Sequence, residues 1–209
     1  MIIAVDGPAA SGKGTIARAL ARHFGLPHLD TGLLYRAVAL NLLRWDGDPE
    51  SEFGALRACD FSQVDFADPE LKSEAVGGIA SRISAYAGVR AALLERQRNF
   101  AAQPTGAVLD GRDIGTVIAP DATAKLFVTA TAEVRARRRV AELLARGVQA
   151  HVPDVLIDIR ARDERDSHRD AAPLKQAQDA DLLDTSEMDI DQAIAAAIEL
   201  VEARVAANA

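Results

Sequence analysis

Only one cysteine, Cys59, occurs in 209 residues. An intrachain disulfide and a cysteine metal cluster are therefore excluded, and the thiol reads as a small apolar side chain in a reducing compartment. Aromatics are scarce, 4% of a chain that is 49% hydrophobic, yet that apolar content suffices for the core of one domain. No apolar stretch reaches the roughly eighteen residues of a membrane span, and Met1 leads into an apolar strand pattern without the basic segment of a signal peptide. A cytoplasmic location with no membrane contact is expected. Basic residues are the minority, 24 against 31 acidic for a net charge of −7, which argues against a broad nucleic-acid-binding surface and leaves room only for local basic pockets. No internal repeat or low-complexity linker breaks the chain.

What is present is a glycine-rich loop between a strand and a helix. Gly7, Pro8, Ala9, Ala10, Ser11, Gly12, Lys13, Gly14 and Thr15 follow the apolar run Ile2-Ile3-Ala4-Val5 and precede a helical pattern. Such glycines let backbone N–H groups turn onto phosphate oxygens, the helix start adds the positive end of its dipole, and the lysine reaches the β- and γ-phosphates. The plain alternative is a glycine-rich turn with a solvent lysine. The pattern G-x-x-x-x-G-K normally continues with Ser or Thr, whereas Gly14 stands here and Thr15 comes one place later. No side chain is therefore assigned as a direct metal ligand.

Short apolar segments alternate with amphipathic helical ones, which predicts an α/β fold with a parallel sheet flanked by helices on both faces. Strands are expected at Ile2–Val5, near Pro27–Leu29, and at Ala107–Leu109, Lys125–Thr129 and Asp181–Leu183. The helix behind the loop carries Ile16, Leu20 and Phe24 on one stripe and ends at Gly25. A last helix from about Asp189 carries Ile190, Ile194, Ile198, Val201 and Val205 as a core stripe. Residues 41–103 look mostly helical, with one alternating piece, Phe61-Ser62-Gln63-Val64-Asp65-Phe66. They are read as an insertion into a core of residues 1–40 and 104–209, within a single domain.

Charged residues stand at element ends. Thr31, in Asp30-Thr31-Gly32, suits a helix N-cap, and Arg36 one turn on is placed to close over an anion at that helix start. Asp110-Gly111-Arg112-Asp113 follows a strand, at the sheet edge where open α/β folds bind ligands; a surface turn is the alternative. Arg162, Asp166 and Arg169, at i, i+4 and i+7, share a face if their helix continues, either as a binding row or as a solvated ion-pair ladder. In the run Arg135, Arg137, Arg138, Arg139, at least half of the side chains are expected to face water.

Together D-G-P-A-A-S-G-K-G-T, D-T-G-L-L-Y-R, V-R-A-A-L-L-E-R-Q-R, D-G-R-D-I-G-T-V with the P-D-A behind it, and R-D-E-R-D-S-H-R-D-A-A-P-L resemble the bacterial cytidylate kinases, a group of nucleoside monophosphate kinases, nearly end to end. The resemblance implies a P-loop kinase core with a helical monophosphate-binding insertion and a short lid at about 147–169. It implies phosphorylation of CMP and dCMP by ATP, with Mg2+ held mainly through phosphates and water. No nucleic-acid partner is expected, and the chain is taken to act as a monomer. By the same resemblance Thr31, Arg36 and Arg112 hold the acceptor phosphate, with Asp30 in the substrate set. Ser81, Arg90, Asp113 and Arg169 surround the cytosine, and Arg162 and Asp166 reach the ribose.

Lys13, Arg112, Arg162 and Arg169 are the candidates for stabilising the transferred phosphoryl group, with Arg138 or Arg139 near the donor. Relatives commonly carry serine at the place of Thr31 and a longer, three-stranded insertion where residues 61–74 stand, so one strand is expected here. An acceptor monophosphate has a second pKa of about 6 and is already mostly a dianion at neutral pH. It needs no general base, in keeping with the lack of a conspicuous His–Asp pair in the sequence. Two rival readings are a P-loop kinase for a hydroxyl acceptor, with Asp30 as base, and a nucleotide switch or nucleic-acid-stimulated ATPase, which depends on Ser or Thr after the loop lysine.

Overall fold

The computed structural model describes residues 1–62 and 64–207. Five strands form one parallel sheet: β1 (Ile2–Asp6), β2 (His28–Asp30), β3 (Ala107–Gly111), β4 (Ala124–Thr129) and β5 (Asp181–Asp184), in the order β2-β3-β1-β4-β5. All five strands expected of the sheet are present. The central strand β1 sets Ile2 to Asp6 against Ala107 to Gly111 on one side, and Ile3 to Asp6 against Ala124 to Phe127 on the other. A strand buried on both faces needs a continuous apolar run, which is why these segments stand out from the surrounding helices. The order reverses at β1, with β3 on one side and β4 on the other, so a crevice opens at the carboxyl ends of the strands. There Asp6, Asp30 and Asp110 collect.

Alternation through the pleat splits the core in two. Ile3 and Val5 face α1 (Lys13–Phe24) and α8 (Ile190–Ala207), packing with Ile16, Leu20 and Val201, while Ala4 and Leu109 face Ala101 of α5 (Ala87–Ala101) and Ile114. A separate apolar cluster, including Leu40, Leu71, Ile83 and Leu93, holds α2 (Thr31–Arg44), α3 (Glu52–Arg57), α4 (Glu74–Ile83) and α5 together. The two helices between β4 and β5, α6 (Ala132–Ala145) and α7 (Val152–His168), pack on each other. Among the described residues no helix is long and apolar enough to cross a membrane.

Three local expectations need correction. Gly25 does close α1 in the left-handed region at φ 65°, donating to the Ala21 carbonyl, but the stripe of α8 is displaced. Ile190 is 66% exposed, and Ala193, Ala197 and Val201 are the buried positions, with the larger Ile194, Ile198 and Val205 only partly covered beside them. Small side chains let the helix lie close to its neighbours, and the longer isoleucines drew the eye away from them. Thr31 is the first residue of α2 rather than its cap, and its hydroxyl donates instead to the Asp110 carbonyl at 2.8 Å. Finally, no strand forms among the described residues of Phe61–Phe66. An alternating hexapeptide without a partner strand cannot complete its backbone hydrogen bonds; here Val64 N–H turns back to the Phe61 carbonyl, burying Phe61 and Val64 and leaving Phe66 outside.

Candidate active site

The loop after β1 is shaped by main-chain constraints. A Cβ on Gly7, where φ is 154°, would stand 2.0 Å from the Val128 carbonyl oxygen, so β4 admits no side chain there. Ala10 sits in the left-handed region at φ 58°, unusual for a residue with a Cβ and a mark of a backbone held by its surroundings. Lys13, the first residue of α1, arches back so that Nζ donates to the Pro8 carbonyl at 3.2 Å. Burial, and then the charge of Arg112, push its ammonium down to about 7. It is thus a cation under stress, eased by any anion that enters.

From the loop a cleft of about 620 Å³ extends along the carboxyl edge of the sheet, walled by α2, α4 and α7. Its far end is a network of paired charges. Arg112 Nε donates to Asp166 Oδ2 at 2.8 Å, and Arg162 Nε lies 4.0 Å from the same oxygen. Arg90 pairs with Asp113 Oδ2, and Arg169 Nη2 lies 3.6 Å from Asp113 Oδ1. Two arginines thus flank one carboxylate, with the Tyr35 ring against Arg90 at 5.8 Å. Burial alone would raise the Asp166 carboxyl, but Arg112 and Arg162 outweigh it and hold it below its ordinary value. Burial and Arg112 push Arg162 down to about 10. The network is not saturated: among the described residues Arg162 Nε and Arg169 Nη2 are buried without a hydrogen-bond partner, as is Ser11 Oγ in the loop, an arrangement that costs about 1–3 kcal/mol per group.

Nearer the mouth, Arg36 Nη1 donates to the carbonyls of Leu71 and Ser73 at 2.7 and 3.2 Å. Its guanidinium lies against Gly77, where an added Cβ would come within 2.8 Å of Arg36 Nη2. Arg139 pairs with Glu74 across the cleft and with Glu142 on its own helix. Arg165 Nη2 reaches Ser81 Oγ at 3.4 Å.

Of the residues singled out in the sequence, Ala9 to Thr15, Asp30, Thr31, Arg36, Ser81, Arg90, Arg112, Asp113, Arg139, Arg162, Asp166 and Arg169 all line this one cleft. Gly7 and Pro8 shape the loop from behind. Arg138 does not line the cleft: Nη1 donates to Thr185 Oγ1 at 2.9 Å and Nη2 to the Thr185 carbonyl at 2.6 Å. The expectation that half of the basic run faces water is wrong. Only Arg137 is exposed, because Arg135 is buried in a forked pair with Asp163.

A His–Asp pair also exists after all, His28 Nε2 lying 2.7 Å from Asp110 Oδ1. Its members are 82 residues apart, so only the β2–β3 pairing reveals it. Asp6 was missed as well; it accepts from the N–H groups of Ile114 and Gly115, both at 2.8 Å. Burial raises it to about 6 even so. A lone aspartate at a strand end carries no sequence signal of such a role.

The family model described as cytidylate kinase matches residues 3–203. A cytidylate kinase of Xanthobacter autotrophicus is 61% identical over 98% of both chains. One of Rhodopseudomonas palustris is 59% identical over 97% of this chain and 96% of its own, and one of a Caulobacter species is 56% identical over 96% and 94%. Among solved structures, an uncharacterized protein from Eubacterium ventriosum shares the fold, with a TM-score of 0.58 at 14% identity over 97% of this chain and 98% of that one. With loop, sheet edge and arginine-lined cleft all inside the matched span, the chain belongs to the cytidylate kinase family.

Proposed function

We propose that this cleft transfers the γ-phosphoryl group of ATP to CMP and dCMP, giving CDP and dCDP. The observation that carries the reading is Asp113, a carboxylate clasped between Arg90 and Arg169 at the end of a cleft that begins at the phosphate loop. An acceptor facing the 4-amino group of cytosine, with donors beside it for N3 and O2, matches cytosine and opposes uracil, whose edge is inverted. The names of the relatives agree with it.

Donor phosphates sit in the loop under its N–H groups and Lys13, and Arg139 leaves Glu74 to meet them. Thr31, Arg36 and Arg112 hold the acceptor phosphate, Arg162 and Asp166 the ribose, and Ser81 joins Arg90, Asp113 and Arg169 at the base. The acceptor dianion is the nucleophile, so the work of the protein is to bring two polyanions together and spread cations around the transferred group. Lys13, Arg112, Arg162 and Arg169 do this. Mg2+ fits the donor set beside the loop: Asp30 and Asp110 offer hard oxygen ligands, and Asp110 Oδ2 stands 3.6 Å from where a Cβ on Gly14 would lie. Bound mainly through phosphates and water, the ion supplies charge neutralisation on the donor.

The insertion, residues 41–103, and the lid, 147–169, close over the nucleotides of a monomeric enzyme and exclude water. One rival has an observation behind it. Burial and Asp110 raise the Asp30 carboxyl, which suits a base for a hydroxyl acceptor. A coupled assay with CMP, dCMP, UMP, AMP and a panel of hydroxyl acceptors separates the two. Turnover with both cytidine monophosphates well above UMP and AMP is expected, and faster turnover of any hydroxyl acceptor overturns the reading.

A further inference from the structure

Arg135 and Asp163 line no part of the cleft, yet they join its two halves. Arg135 is 5% exposed and holds three segments with one planar group. Nε donates to the Ala130 carbonyl at 2.8 Å, just beyond β4. Nη1 donates to the Ala9 carbonyl of the phosphate loop at 3.2 Å and to Asp163 Oδ1 at 3.0 Å. Nη2 donates to Asp163 Oδ2 at 2.6 Å. A forked arginine–carboxylate pair is stiff in distance and in plane. Its loop contact lies one residue before Ala10, the position held at φ 58°. On α7 its contact lies one residue after Arg162 and three before Asp166, the carboxylate that pairs with Arg112 and lies 4.0 Å from Arg162 Nε.

We infer that the Arg135–Asp163 pair couples the donor and acceptor sites. Phosphates settling into the loop set the Ala9 carbonyl, Arg135 follows it, and α7 is carried into the position from which Arg162 and Asp166 receive the acceptor. Arg135 and Asp163 are positioning residues that touch neither nucleotide. Each nucleotide then binds more tightly in the presence of the other, and by the same factor whichever binds first. This rests on the proposed placement of donor at the loop and acceptor by α7.

The test is calorimetric titration of the full chain with CMP, with a non-hydrolysable ATP analogue plus Mg2+, and with each in the presence of saturating amounts of the other. Wild type is expected to bind CMP at least about 5-fold more tightly when the analogue is present. Asp163→Asn replaces one arm of the fork with an amide, and the enhancement should fall below about 2-fold while CMP affinity without the analogue changes by less than about 2-fold. Arg135→Lys, which keeps the charge but reaches fewer partners at once, should give the same loss. The double variant should add nothing further. A pair that only stabilises the fold would lower the melting temperature of both variants and leave the enhancement in place, which overturns the coupling. Independent binding in wild type overturns it too. If wild type binds neither nucleotide, the proposed function fails and this inference with it; if it binds both without enhancement, only the coupling fails.

Discussion

The two ends of the cleft are built by different means. At the loop end, the consecutive residues Ala9 to Thr15 supply main-chain N–H groups and one lysine, and the loop's shape depends on close backbone approaches such as Gly7 against the Val128 carbonyl. At the other end, side chains from positions as far apart as Thr31 and Arg169 converge from four helices and the segment after β3, and charges are held by one another: Arg112 by Asp166, and Asp113 by Arg90 and Arg169. A backbone site is local and close to all-or-none. A side-chain site is a network, in which a change at one member alters the geometry of the next and losses are graded and coupled.

Replacement of Lys13 should break the loop end most sharply. Lys13→Met keeps the reach and loses the charge, and a coupled assay should show phosphoryl transfer reduced by on the order of 10³-fold or more, with the melting temperature preserved. Activity within about tenfold of wild type would sink the role given to the lysine. Within the network, Arg112→Lys exchanges a planar fork for a single ammonium that cannot hold Asp166 and a phosphate together. Rates should drop by on the order of 10²-fold for every acceptor nucleotide, whatever its base. A change confined to base preference would show that Arg112 does not serve the phosphate.

Asp113→Asn sharpens the contrast, because it alters what the network reads. The amide can turn its N–H2 toward the uracil carbonyl. The CMP/UMP ratio of kcat/KM should collapse by at least about tenfold, roughly 1.4 kcal/mol. Equal losses on both nucleotides would mean that Asp113 only holds Arg90 and Arg169 in place.

The smallest expected effect is a proton. Free Lys13 is held near 7, so at pH 8 most of it is neutral, and bound polyphosphate raises it again. Donor binding should therefore take up close to one proton at pH 8 and almost none at pH 6, where the lysine is already charged. Calorimetry of ATP binding in buffers of different ionisation enthalpy measures the uptake, and its persistence in Lys13→Met would assign it elsewhere.

Legibility followed the same divide. The inner strands were readable because parallel strands buried on both faces require short continuous apolar runs, the edge strands β2 and β5 because short apolar pieces alternate with helical patterns, and the loop because its spacing is local. Most of the arginines and carboxylates singled out line the cleft, but chiefly because whole motifs resembled a known family; the spacing of Arg162, Asp166 and Arg169 alone left a solvated ladder equally open. Arg135 and Arg138 show the limit. Both sit in a run of basic residues on α6, and nothing in their order tells that one forks to Asp163 and the other ties down Thr185. The alternating stretch around Val64 fails for a related reason, since strand pattern is necessary and a partner strand is not encoded beside it.

The order of the chain by itself determined the α/β class, the phosphate loop and the identity of the charged residues, because helical and strand periodicity and glycine at tight turns act over a few residues. Only the tertiary structure decided which charges meet. Asp110 with His28 is joined across β2 and β3, Asp113 with Arg90 and Arg169 joins the segment after β3 to α5 and the end of α7, and Arg135 with Asp163 joins the loop, the segment after β4 and α7. Ion pairs of this kind form between groups brought within about 4 Å after the helices have packed, and packing depends on the whole chain at once.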